Sequence, residues 1–217
     1  MRLRVALALL TWSIVFPGCT HLIAFNEADP SWHYAIGGTR HDGAALVAVV
    51  DQKTIAATYP FRAFSTGIAQ KWVAEYGKML AQVSDVELPQ LVGVYARSSS
   101  YQEPSTGDPR LTLDLSVPSY TFANYHATVT VHLDAYGTNK TPLFSNSYKG
   151  NGANEAGKMV GLGAFGQMSA VRQSSLDAFK DAFAKMRPDI LEVLEGGRAS
   201  SAAPARATAP VARPGSE

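Results

Sequence analysis

Between Leu111 and Tyr136 the chain keeps the period of a β-strand. Leu111, Leu113, Leu115 and Val117 alternate with Thr112, Asp114 and Ser116. Pro118 interrupts, and the alternation resumes with Ala127, Val129, Val131, Leu133 and Ala135 on one side. Thr128, Thr130, His132, Asp134 and Tyr136 take the other. Successive side chains of a strand point to opposite faces, so both runs bury one face and wet the other. Residues 137–140 supply a turn with Gly137 and Asn139, and residues 141–148 return as the hairpin partner. A sheet with one apolar face needs a cover, and the rest of the chain must provide it.

Two helical patterns qualify. Ser65 or Thr66 can cap the first, and Ile68, Trp72, Tyr76, Met79, Leu80 and Val83 recur at spacings of three and four. Gly77 weakens that helix by up to about 1 kcal/mol and marks a close approach to a neighbour. The second pattern carries Phe165, Met168, Leu176, Phe179, Phe183, Met186 and Ile190 near one stripe. Pro188 either kinks it or begins a short second helix, and Gly196 and Gly197 stop it. Residues 44–51 and 91–96 read as further strands, and residues 55–64 as an aromatic-rich extension or return. The expectation is an α+β two-layer sandwich, a mostly antiparallel sheet with two amphipathic helices on one face, in the order β-α-β-β-β-α.

The first residues belong to a different world. Arg2 and Arg4 precede an uncharged, largely apolar run over residues 5–16, and Pro17 and Gly18 break it before Cys19. A charged start, a short apolar stretch and small residues at a cut site make an export signal. The run is too short for a spanning helix, which needs about 20 apolar residues. Cys19 is the sole cysteine, so no internal disulfide or multi-cysteine metal site exists. A lone thiol in an oxidising compartment has no partner, and acylation accounts for its solitude and its place. Residues 1–18 are thus expected to be a lipoprotein signal peptide and 19–43 a lipidated N-terminus and tether. A single domain follows over 44–197, and 198–217 form an Ala- and Pro-rich tail too poor in large apolar residues to order itself.

Hydrophobic residues make up 46% of the 217, enough for a core. With Arg2 and Arg4 removed, the chain carries 17 basic against 18 acidic residues. That balance gives no footprint for nucleic acid and no polybasic membrane patch.

Gly18 and Cys19 resemble the end of a bacterial lipobox, with Phe16 and Pro17 departing from its usual preceding residues. Together with TGIAQKWVAEYGKML (66–80), the pair TVTVHLDAYG (128–137) and LFSNSYKGNG (143–152), and the final helix, the chain resembles the YajG-like and lipopolysaccharide-assembly outer-membrane lipoproteins. The resemblance runs over roughly residues 44–195 and rests on element order. It implies a β-α-β-β-β-α domain, binding or scaffolding work in the cell envelope, and partner proteins or homo-oligomers. Thr20, where an inner-membrane lipoprotein often has aspartate, implies the outer membrane, with the domain facing the periplasm. No catalytic residues come with it.

Other constellations point to no reaction. Gly161, Gly163 and Gly166 spell G-x-G-x-x-G, but no strand directly precedes them, so a loose approach to the helix replaces a phosphate loop. His21, His33, His41, His126 and His132 lack the spacing of a metal pair. Neither metal, cofactor nor catalytic nucleophile is expected. Tyr59, Phe61, Arg62, Phe64, Trp72 and Tyr76 gather around the first helix, either as core or as a partner or ligand surface. The expected function is an outer-membrane-anchored lipoprotein with a non-catalytic binding or scaffolding domain. The alternative is a periplasmic small-ligand or lipid carrier.

Overall fold

A computed structural model describes residues 20–25, 34–61, 71–102, 110–157 and 163–196. The strands are β1 (Thr20–Ile23), β2 (His41–Val49), β3 (Tyr59–Phe61), β4 (Lys71–Ala74), β5 (Val92–Ser98), β6 (Arg110–Ala123), β7 (His126–Tyr136) and β8 (Pro142–Asn151). The helices are α1 (Gln52–Ile55), α2 (Tyr76–Glu87) and α3 (Gly163–Leu194). The class is α+β.

Five strands form the main sheet in the order β5-β2-β6-β7-β8. The expected alternation decides its faces. Leu113 lies opposite Ala135 and Leu115 opposite Leu133 across the antiparallel β6–β7 pair, and all four are fully buried. β2 runs parallel to both β5 and β6, so the sheet is mixed rather than mostly antiparallel. The α2 connection between β2 and β5 is what permits that parallel pairing. Pro118 does not end β6. The ladder slips between Ser116 and Ser119 and continues to Ala123, because a bulge absorbs the missing amide.

α2 and α3 cover the apolar face. Phe179, Phe183, Met186 and Ile190 from α3 meet Met79, Leu80 and Val83 from α2 over the sheet in one continuous core. Burying each such side chain contributes about 1.5–3 kcal/mol. Pro188 lies inside a single uninterrupted α3, its lost ladder bond offset by buried Met186 and Ile190 on either side. The helix stops where Gly196 takes φ +77°. Gly163 and Gly166 fall within α3 itself, which leaves no phosphate-cradling loop before the helix at those two positions.

Two expectations change. The first helical pattern begins only at Tyr76, and Trp72 belongs to strand β4. Residues 65, 66 and 68 lie outside the described residues. The segment expected as a tether is partly built into the fold: Thr20–Ile23 pairs in parallel with Lys71–Ala74. Tyr59–Phe61 pairs with the other edge of β4, giving a second, three-stranded sheet in the order β1-β4-β3. Ile23 and Phe25 join the core, with Phe25 edge-on to Phe179 at 6.3 Å. The Arg172 side chain donates to the Ala24 carbonyl at 2.8 Å.

The residues from 34 to 40 are also held. The Tyr34 hydroxyl donates to Glu87 Oε1 at 2.6 Å, and Arg187 Nη2 reaches Glu87 Oε2 at 3.0 Å. The Arg187 guanidinium also donates to the Gly37 carbonyl, and Lys180 Nζ stands 3.6 Å from the Tyr34 ring centre.

Candidate functional site

The aromatic residues gathered around the first helix do meet, along a seam between the small and main sheets. Tyr59 meets Tyr120 edge-on at 5.6 Å, Tyr76 stacks on Tyr120 at 5.1 Å, and Phe61 lies 5.5 Å from Phe122. The bulge between Ser116 and Ser119 moves the inward row of β6 from odd to even positions, so Tyr120 and Phe122 face inward beyond it, while Tyr59 and Phe61 share one face of β3. Tyr120 is buried, its hydroxyl 2.7 Å from Ser175 Oγ, and burial pushes its phenol up to about 12. Trp72 is 1% exposed and stacks on His21 at 4.5 Å, so it is core rather than surface. Arg62 and Phe64 lie outside the described residues, as does Cys19. Tyr120 and Phe122 stand apart in the sequence as an aromatic group beside Pro118, and the bulge there turns them inward into the seam.

A second feature lies at the opposite end of the main sheet. A groove of about 630 Å³ runs between the start of β2 and the end of α3, lined by His41, Ala44, Ala45, Leu111, Leu143 and Leu194. His41 Nε2 stands 3.7 Å from Glu195 Oε1 at its rim. Gly43 and Gly137 also line it, and its lining residues lie too far apart in sequence for any local pattern to mark them.

The solvent face of the main sheet carries a polar row. His132 Nδ1 is 2.9 Å from Ser147 Oγ, and its Nε2 is 3.3 Å from Asp134 Oδ2. Ser147 is exposed and His132 only half-buried, so water reaches the row and competes for its hydrogen bonds. Asp114 lies directly opposite Asp134. Partial burial, then the Asp134 and Asp51 charges, hold the Asp114 carboxyl above its usual range. Among the described residues, no group of three or more His, Cys, Asp or Glu is arranged to hold a metal ion.

These features define an α+β two-sheet domain with an aromatic seam, a groove and a polar open face. No known protein family matches the chain. No curated protein matches it either. Among solved structures, it is similar to a hypothetical protein, CT253, from Chlamydia trachomatis. The identity is 6% and the TM-score 0.37, over 70% of this chain and 99% of that one. A likeness of that size transfers nothing to this chain.

Proposed function

We propose that this chain is an outer-membrane lipoprotein, acylated at Cys19, whose domain faces the periplasm as a non-catalytic binding or scaffolding module in envelope assembly or maintenance. The observation that carries the reading is the sole cysteine, set directly behind a charged and apolar export segment. Acyl chains contribute about 0.8 kcal/mol per buried CH2, and two or more chains anchor stably without a spanning helix. Among the described residues no helix is long and apolar enough to cross a membrane, and lipid anchoring requires none.

Intact mass and membrane fractionation of the native protein beside Cys19→Ser test it. The expected wild type starts at Cys19, carries acyl mass and sits in outer-membrane fractions, whereas the variant loses both. A soluble, unmodified wild type refutes the reading.

One observation supports a small-ligand carrier instead. The groove beside His41 is about 630 Å³ and bordered by Leu111, Leu143 and Leu194, a size and lining suited to an apolar molecule. Native mass spectrometry of freshly purified protein should then find a co-purifying small molecule, lost on Leu143→Arg. Without one, this second reading fails.

A further inference from the structure

The fold begins one residue after the cysteine. Thr20 is already a strand residue, paired with Lys71, so a lipid on Cys19 is joined to the domain with no intervening tether. One peptide spans only about 3.8 Å between Cα atoms. The end of the molecule that carries Thr20 must therefore lie at the bilayer surface.

Topology identifies the other residues at that end. β1 is parallel to β4, and β3 is antiparallel to β4, so the end of β3 at Phe61 lies with the starts of β1 and β4. Phe61 meets Phe122, and Tyr59 meets Tyr120, so β3 and β6 run in the same sense. β6 then turns into β7 through Asn124 and Tyr125. The β6–β7 hairpin tip and the entry of the chain from Cys19 consequently share one end.

That end is equipped for an interface. Leu22 is 58% exposed and Tyr125 45% exposed, two of only three large apolar or aromatic side chains this open among the described residues. Tyr125 has φ 63° and follows Asn124 at φ 50°. A two-residue turn of this kind favours glycine at its second position, and a side chain there costs about 1–2 kcal/mol. Folding alone gives no reason for a large exposed ring at that position. Tyrosine is well suited to the headgroup boundary, where its ring is apolar and its hydroxyl is wet. Lys71 adds a positive charge, and Glu155, whose amide bonds to the Tyr125 carbonyl at 2.9 Å, adds a negative one. The contact with lipid is made by the apolar Leu22 and the ring of Tyr125.

We infer that this end of the domain, marked by Leu22 and Tyr125, docks on the phospholipid bilayer. The domain then stands on the membrane with the groove end pointing away. The inference rests on acylation of Cys19.

The test uses the native acylated protein with one added cysteine, Leu22→Cys, Tyr125→Cys or Asp42→Cys, each labelled with a polarity-sensitive fluorophore. Asp42 is exposed and lies near the start of β6, roughly 45–50 Å from the hairpin tip at about 3.3 Å per residue. The proteins are placed in phosphatidylethanolamine–phosphatidylglycerol vesicles containing a headgroup-nitroxide lipid. Thermal melts confirm that each variant folds, and intact mass confirms acylation. Strong quenching at 22 and 125 with little at 42 is expected. Acylated protein with no quenching at 22 and 125, or with equal quenching at all three, overturns the docked orientation while leaving the lipoprotein reading intact. Quenching that disappears when labelled protein is diluted among unlabelled copies at fixed lipid, with crosslinking between positions 125, assigns the surface to a second copy and also overturns it. Protein without acyl mass refutes the anchor itself, and the inference with it.

Discussion

A β-carbon at Gly150 would fall 1.9 Å from the Ala178 carbonyl oxygen and 2.8 Å from the Ala182 nitrogen. No side chain fits there unless β8 and α3 separate. Gly150→Ala should cost roughly 1–3 kcal/mol by overpacking, read as a lowered melting temperature. Gly157→Ala, with nothing within 4 Å, is the matched control and should leave melting nearly unchanged. Equal melting of the two variants would refute the account. Gly77 obeys the same logic, since its added carbon would meet the Thr54 carbonyl at 1.7 Å. Its close approach was legible from sequence, because a glycine inside an amphipathic pattern needs a local reason. Glu87 was not legible: its role depends on Tyr34 and Arg187, 53 and 100 positions away. Its side chain is 3% exposed and that of Arg187 20%. Glu87→Ala leaves the guanidinium without its counter-charge and should cost about 3 kcal/mol. Glu87→Gln keeps an acceptor for the Tyr34 hydroxyl and should cost measurably less in the same denaturant titration. Equal losses would show that the acceptor contributes nothing.

At the scale of elements, the β6–β7 ladder holds one unfavourable pair. Asp114 and Asp134 face each other directly, and like charges so placed destabilise a sheet. The folded state raises the Asp114 pKa, so it binds a proton more readily than the unfolded chain does. The resulting stabilisation is present at low pH and is lost as pH rises through the folded value. Asp114→Asn should therefore stabilise the protein at pH 7 by on the order of 0.5 kcal/mol. Its advantage should shrink as pH falls through the carboxylate range. A pH-independent advantage, or none, would contradict this. β6, β7 and α3 were legible because each repeats its own period over seven or more residues. The first helix was read too far back because Trp72 happens to fall four residues before Tyr76, on the helical spacing. In the fold, Lys71–Ala74 is instead a strand set between Thr20–Ile23 and Tyr59–Phe61. Strands of four, four and three residues are too short to declare a period, and their partners lie far apart in sequence.

For the whole molecule, the main difference between the sequence reading and the fold is where the domain starts. Residues 19–43 carry little periodicity and scattered glycines, which reads as a tether when each residue is weighed beside its neighbours. The fold uses Thr20–Phe25 differently. Ile23 is fully buried, Phe25 packs on Phe179, and Arg172 secures the Ala24 carbonyl. These contacts join the small sheet to α3, and no local pattern could announce them. The two views give opposite results on truncation. A soluble chain of residues 20–217 and one of residues 26–217 would melt alike if the first strand were a tether. With β1 as part of the core, removing it deletes two buried apolar side chains and uncovers Trp72 and one edge of β4. At about 1.5–3 kcal/mol per buried side chain, Ile23 and Phe25 alone imply a loss of roughly 3–6 kcal/mol. Denaturant titration should give the shorter chain a much lower midpoint, with broadened amide resonances for Lys71–Ala74 where the neighbouring strand has been removed. Coincident midpoints would restore the tether, and would also remove the physical reason for placing the domain directly against the bilayer.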